Sequence, residues 1–295
     1  MKLGIVVLNY QNYMQTITCV EYLEKASKDA MILVVDNAST NDSFERIKER
    51  FSENNNVQVI ANSENVGYAR GNNKGIRHLL GKFPEMEYFC IMNPDVEIYD
   101  EDFFDKTTDV LERNQNIAVI SGFMISNGVF DSSLAGWMLP SRYDVIFRGP
   151  LCKQSRTSLR MIDSRGLIIV EAVSGSCFLI RRSVLEQIGL LNENTFMYNE
   201  ENILGNKLKE LGYQVAVLPQ CVFYHNHIQS KKREWAFRNK YKFCKRWYES
   251  RRHLLNECFD GKGVFLLEIM YYGHVLYFFL IECLGFVCRK LEKSL

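Results

Sequence analysis

Short apolar runs alternate with amphipathic stretches through the first 120 residues, and the alternation predicts strands and helices in turn. Strands are expected at Leu3–Leu8, Met31–Asp36, Val57–Ile60, Tyr88–Met92 and Ile117–Ser121. Helices are expected between them at Tyr13–Lys25, Asp42–Phe51, Tyr68–Leu80 and Asp102–Arg113. Unbroken Ile/Val/Leu runs of this length suit a parallel sheet covered on both faces, and the alternation suits a doubly wound α/β fold. Such sheets bind ligands beyond the C-terminal ends of their strands. Three polar groups fall at those ends: Asn9 and Tyr10, Asp36 and Asn37, and Asn93-Pro94-Asp95.

Residues 122–174 are less regular and contain five glycines, which predicts strands and loops around a cleft. Order returns with a strand from Val170 to Ile180, a helix from Ser183, a helix at Asn199–Leu211, and a strand Gln214–Leu218 leading to Val222–His227. The tail differs in kind. Residues 231–252 hold ten Lys/Arg against Glu234 and Glu249, with Phe237, Tyr241, Cys244 and Tyr248 at helical spacing and Arg238, Lys242 and Lys245 on a separate stripe. That is a basic amphipathic helix of the kind that lies on anionic membranes. Val264–Cys288 follows and is almost wholly apolar, with Glu268 and Glu282 its only formal charges. It is long enough to span a bilayer, but those charges, His274 and two glycines favour an interfacial helix or hairpin over a clean span.

Composition changes the picture little. Of 295 residues 47% are hydrophobic, and the net charge is +1, which argues against a nucleic-acid binder. Nine scattered cysteines show no zinc-ligand spacing and suit buried thiols in a reducing compartment. Leu3–Leu8 is strand-sized and runs at once into Asn9, Gln11 and Asn12, unlike a signal peptide. A cytoplasmic location is expected.

Four motifs carry candidate chemistry. Asn93-Pro94-Asp95-Val96 offers a carboxylate at a strand end, suited to Mg2+ or Mn2+, although the same residues make tight turns. Asp36 could accept hydrogen bonds from a base or ribose, or serve the following helix as a cap. Asn65-Val66-Gly67-Tyr68-Ala69-Arg70-Gly71-Asn72-Asn73 opens a helix and could seat a diphosphate, and its glycine spacing equally serves helix packing. Asn199-Glu200-Glu201 opens another helix, where two carboxylates either complement the dipole or supply a general base. His225, at the end of an apolar run, could ligate a metal; His227 lies two residues on.

The order of these motifs resembles the family 2 glycosyltransferases of the GT-A fold. Val6-Val7-Leu8-Asn9-Tyr10 looks like their opening strand, and Val34-Val35-Asp36-Asn37-Ala38-Ser39 like their nucleotide-base strand. Residues 65–73 are similar to the segment facing the donor diphosphate, and Asn93-Pro94-Asp95 resembles the metal-motif variant of rhamnosyltransferase-like members. Val173–Arg182 looks like their acceptor-side strand. Phe196-Met197-Tyr198-Asn199-Glu200-Glu201 falls where they carry Glu-Asp, and Leu211-Gly212-Tyr213, Pro219 and His225 complete the pattern. The match covers about residues 1–230. Glu201 stands where Asp is usual, Ile203 where another Asp is frequent, and the metal motif lacks its first Asp.

The resemblance implies a GT-A α/β fold, a doubly wound, Rossmann-like mixed sheet with helices on both faces, with a C-terminal helical, membrane-associated tail. Residues 1–121 would bind the nucleotide sugar and 122–230 the acceptor; 231–295 would form the tail. It implies inverting transfer from a dTDP- or UDP-sugar, with rhamnose the first expectation, to a glycan or lipid-linked acceptor of surface polysaccharide synthesis. Glu201, or Glu200, would be the base. Asn9, Tyr10, Asp36, Asn65, Gly67, Arg70, Gly71, Asn73 and Asn93 would hold the donor, and Asp95 and His225 would hold Mn2+ or Mg2+. Residues 231–288 would meet the inner face of the cell membrane. The departures at 201 and 203 motivate a second expectation, a catalytically silent nucleotide-sugar-binding or scaffold relative. A nucleotidyltransferase would need a Gly-rich basic loop after the first strand, which Asn9–Tyr13 does not provide.

Overall fold

The computed structural model describes residues 2–126, 128–130, 135–148, 162–226 and 237–292. Along the chain run β1 (Leu3–Asn9), α1 (Tyr13–Ala26), β2 (Met31–Asp36), α2 (Ser43–Arg50), β3 (Val57–Ala61), α3 (Tyr68–Lys82), β4 (Tyr88–Met92) and β5 (Val96–Glu97). Next come α4 (Phe103–Arg113), β6 (Ile117–Ser126), β7 (Val129–Phe130), β8 (Gly136–Trp137), α5 (Arg142–Phe147), β9 (Ile168–Val170) and β10 (Ala172–Val173). The chain continues through β11 (Cys177–Arg181), α6 (Arg182–Gln187), α7 (Glu200–Glu210), β12 (Gln214–His225), α8 (Phe237–Phe259) and α9 (Val264–Glu292). His227 and residues 231–236 of the basic stretch lie outside the described residues.

The main sheet runs β3-β2-β1-β4-β11-β6-β12-β5, with β7 on β6 and β9 on β12. Its first four strands are parallel and β11 is antiparallel to both neighbours, so the sheet is mixed as expected. Met31–Asp36 is buried along its whole length, which is why Met31–Val35 reads as an unbroken apolar run. α1 covers the sheet with Thr16, Cys19, Val20, Leu23 and Ala26, a helical stripe.

The second half departs from expectation in two places. The single strand expected over Val170–Ile180 is three. β10 pairs with β8 in a separate two-stranded sheet, the chain turns at Ser174-Gly175-Ser176, and β11 then joins β4. The two expected strands Gln214–Leu218 and Val222–His227 are instead one, β12. It bulges between Leu218 and Val222 along β6, where Pro219 has no N–H to give the ladder. That pairing also carries β6 on to Ser126, beyond its expected end.

Arg181 falls on the strand that the resemblance assigns to the acceptor. It is buried, and its guanidinium donates from Nε to Ile117 O at 2.8 Å and from Nη2 to Asn114 O at 3.0 Å and to Leu111 O. Leu111 O and Asn114 O, at the C-terminus of α4, also accept from Asn114 N and Ile117 N, so the guanidinium is a second donor to them, where the helix dipole also favours a cation. Arg181→Met should remove these buried charge-assisted hydrogen bonds and lower unfolding stability by about 3 kcal/mol. A urea titration with an unchanged midpoint would contradict this role.

The chain divides into two compact units: Met1–Leu139, Arg156–Phe196 and Glu200–His227 in one; Pro140–Ser155, Met197–Asn199 and Ile228–Leu295 in the other. In the second unit Arg251 donates to Val145 O at 2.6 Å and stacks 3.4 Å from the Trp247 ring centre, tying α8 to α5. Asn199 Nδ2 donates to Ser250 Oγ at 2.9 Å. By length and composition α9 has one stretch able to cross a membrane, Val264–Ile281.

Candidate active site

The loops after β1 and β2 are knit together by buried polar atoms. Asp36 Oδ2 accepts from Asn9 Nδ2 at 2.6 Å and from Ser39 Oγ at 2.7 Å, and Oδ1 accepts from Ser39 N at 2.8 Å. Asn9 Oδ1 accepts from Thr16 Oγ1 at 2.8 Å. Gln11 and Ala38, in these two loops, are non-glycine residues with φ of 67° and 59°, a backbone state usually held by its surroundings. Asn9 and Asp36 are buried and face protein; Tyr10 beside them is 48% exposed and faces solvent. Asp36 does not cap α2, whose N-cap is Asp42.

Asn37 links this rim to α3. It donates to Asn65 Oδ1 at 3.0 Å and accepts from Asn62 Nδ2 at 2.9 Å and from Val66 N at 3.2 Å. Gly67 has φ of 85°, and a Cβ there would sit 2.5 Å from Phe196 O, so only glycine fits.

The rest of this motif makes contacts within the fold. Arg70 donates to Glu193 O, and buried Asn73 donates to Leu191 O and Glu193 Oε1, both at 2.8 Å. A Cβ on Gly71 would lie 2.6 Å from Leu8 Cδ1. The two polar side chains clamp the chain at 191–193, and the glycine lets α3 approach β1 closely.

Asn93–Val96 is both a turn and a carboxylate mount. Val96 N donates to Asn93 O at 3.3 Å, and Asn93 N donates to Ser176 O at 2.8 Å. β5 then pairs with the end of β12, with Val96 opposite His225. This brings Asp95 Oδ1 to 3.1 Å from His225 Nε2, with the two side chains 18% and 9% exposed. Cis ligands of an octahedral ion at about 2.1 Å stand about 3.0 Å apart, so the pair fits two positions of such an ion. Nε2, which faces Asp95, must be unprotonated to ligate. Among the described residues no three His, Cys, Asp or Glu side chains converge on one point.

Glu200 and Glu201 open α7, directly after Tyr198 and Asn199, whose φ values are 76° and 65°. Glu201 Oε1 accepts from Gly175 N at 3.3 Å, and Tyr68 OH donates to Gly175 O at 2.5 Å. Trp137 Nε1 donates to Asn202 Oδ1 at 2.9 Å and fixes the same turn of α7. Ile203 is buried, so the position where the family often has Asp faces the core. Glu200 Oε2 is buried without a partner, and its residue lines a cavity of about 20 Å³ with Tyr68, Gly175, Glu201 and Phe178. That is room for about one water molecule. Burial, and next the charge of Glu201, push the Glu200 carboxyl up to about 8. At neutral pH Glu200 therefore keeps its proton beside Glu201, and the pair is split into an acid and a base.

Glu200 also makes stability depend on pH. Below its unfolded value of 4.5 both states hold the proton. From there to about 8 only the unfolded chain ionises, so stability falls as pH rises through this window. Glu200→Gln removes the titration. Its Tm should match the wild type near about pH 4 and exceed it by a growing margin up to about pH 8. A difference that is constant with pH would contradict the buried, protonated state.

Tyr68 and Trp137 are the members of this site that sequence reasoning missed. Tyr68 read as the first residue of a helix; its partner Gly175 lies 107 positions on, and no local pattern signals the contact.

A family model described as "Glycosyl transferase family 2" matches residues 5–189. The chain is 29% identical over 203 residues to the low-salt glycan biosynthesis hexosyltransferase Agl10 of Haloferax volcanii, covering 68% of this chain and 59% of that relative. It is 25% identical over 219 residues to the N-acetylglucosaminyl-diphospho-decaprenol L-rhamnosyltransferase of Mycobacterium tuberculosis, covering 70% and 69%. Among solved structures it is similar to the mannosyltransferase PcManGT from Pyrobaculum calidifontis in complex with GDP-Man and Mn2+. That match has a TM-score of 0.60 at 13% identity and covers 92% of this chain and 69% of the other. The likeness shows the GT-A fold.

Proposed function

Because the chain belongs to glycosyl transferase family 2, we propose that it transfers a sugar from a nucleoside-diphosphate sugar to a hydroxyl of a glycan or lipid-linked acceptor. The observation that carries this reading is the seam between β4 and β11. On one side Asp95 meets His225; on the other Gly175 N meets Glu201, and Asn93 N joins the two by donating to Ser176 O. A metal mount and a general base thus flank one strand pair at the ligand-binding end of the sheet.

In this reading Glu201 takes the proton of the acceptor hydroxyl as the oxygen attacks the anomeric carbon. The bond from that carbon to the diphosphate oxygen breaks, the nucleoside diphosphate leaves, and a single in-line displacement inverts the centre. Asp95 and His225 would hold Mn2+ or Mg2+. The ion supplies charge neutralisation on the departing diphosphate. Tyr68 and Gly175 hold Glu201 in place, and Glu200 stays protonated behind it. Tyr10, exposed at the rim, packs against the nucleoside, in an orientation set by Asn9 and Asp36.

A dTDP- or UDP-sugar is the donor class we favour, with rhamnose first and glucose or galactose next. The named activity of the mycobacterial relative supports rhamnose, and that of the archaeal relative supports a hexose. Both names place those relatives on lipid-linked or glycan assembly. We infer the same pathway class here, on the cytoplasmic face of the membrane, with residues 231–288 at the lipid surface. A panel of UDP-, dTDP- and GDP-sugars, followed by slow donor hydrolysis with Mn2+, tests the reading. Turnover of one donor with inversion at the released sugar supports it. Binding without turnover, even with acceptor supplied, would replace it by a silent donor-binding relative.

A further inference from the structure

α8 and α9 form an antiparallel hairpin around the turn Asp260–Gly263. Arg252 Nε donates to Glu268 Oε1 at 2.6 Å, Tyr248 OH meets His274 Nδ1 at 2.5 Å, and Tyr241 OH lies 3.4 Å from Tyr271 OH. Glu268 is the one formal charge between 264 and 281, and it is turned toward α8 and paired. The opposite side of α9 exposes Leu266, Ile269, Tyr272, Leu276, Tyr277 and Phe279. At 100° per residue these cover about 160° of the helix circumference.

That width decides between occupants. A helix partner, including a second copy of this chain, meets a narrow seam of two positions per heptad, whereas lipid wets a broad arc. Tyr272 and Tyr277 put hydroxyls on this face, which suits the bilayer interface. Charge agrees. Lys242 and Lys245 on α8 are exposed, Lys245 lying 3.8 Å from Glu249, and ten Lys/Arg fall within 231–252. The same packing argues against a span. α8 runs beside α9 at 268–274, so threading that stretch through hydrocarbon would carry Lys242, Lys245 and Glu249 with it. Each charge at the centre costs about 2.5–3.5 kcal/mol.

We propose that the α8–α9 hairpin seats this chain on an anionic bilayer surface, with α9 lying in the membrane plane and its apolar arc among the acyl chains. This deepens the membrane part of the reading above. Vesicle binding needs no donor, so its failure and the failure of the sugar chemistry are distinguishable.

The test uses the full chain with phosphatidylcholine vesicles, with and without one third phosphatidylglycerol. The protein should pellet with the anionic vesicles, less so at high salt. Ile269→Asp with Leu276→Asp should weaken that binding roughly tenfold or more and leave donor binding intact. Lys242→Glu with Lys245→Glu should remove the preference for the anionic lipid. A C-terminal epitope on bound protein should be fully removed by protease added outside the vesicles. Protection of the epitope would mean a span and overturn the in-plane seat. Absence of vesicle binding, together with a dimer that Ile269→Asp dissociates, would assign the face to a second copy instead.

Discussion

Glu201→Gln should lower the transfer rate by roughly 10²–10⁴-fold while donor affinity and Tm stay close to wild type. The amide keeps an oxygen to accept from Gly175 N, which in the native chain binds Glu201 Oε1, so the loop is not released. What is lost is the basicity of the carboxylate. Glu200→Gln makes the opposite case. Its carboxyl is pushed up to about 8 by burial and by Glu201, so at neutral pH the substitution replaces one neutral group by another. Its rate should stay within a few-fold of wild type. Measured under single turnover, the two variants separate the paired carboxylates; a rate collapse in Glu200→Gln with near-normal Glu201→Gln would reverse the assignment. Tyr68→Phe belongs to the same set. It removes the hydroxyl that donates to Gly175 O and should cut the rate less than Glu201→Gln, because the base remains.

Asp95→Ala should reduce kcat/KM by roughly 10³-fold or more and abolish its dependence on Mn2+. Among the described residues the carboxylate is one of two groups at the candidate metal position, 3.1 Å from His225 Nε2, and alanine removes it. His225→Gln should cost less, roughly 10–100-fold in metal affinity, since the carboxylate and the substrate phosphates remain. The backbone of the turn should survive both changes, because its hydrogen bonds run through Asn93 and Val96 N–H groups rather than through the side chains at 95 or 225. An Asp95→Ala variant with unchanged metal dependence would remove Asp95 from the mount.

β1 and β2 were legible because parallel strands buried on both faces are nearly continuously apolar, as Leu3–Leu8 and Met31–Val35 are. The placing of Asn93-Pro94-Asp95 and His225 at strand ends was legible for the same reason. Their approach was not, since it depends on β5 pairing with the far end of β12, 130 residues away. The break of the expected strand at Ser174-Gly175-Ser176 was hidden because Ala172–Val173 and Cys177–Arg181 are equally apolar, and only their different partners, β8 and β4, separate them. The partners of Arg70 and Asn73 were hidden for a related reason. A polar helix face announces that it has partners and says nothing of which. Here the partners are Leu191 and Glu193. Gly71 was legible as a close approach, and the alternative of plain helix packing against Leu8 is the one realised.

A metal-dependent donor site at Asp95 is central to the proposed transfer. The most direct measurement is calorimetric binding of UDP- and dTDP-sugars to the wild-type chain and to Asp95→Ala, each with Mn2+ and with chelator. The account predicts that one donor binds the wild type tightly only with Mn2+, and that Asp95→Ala binds it at the weak, metal-free level under both conditions. Equal, Mn2+-responsive binding by both proteins would contradict it.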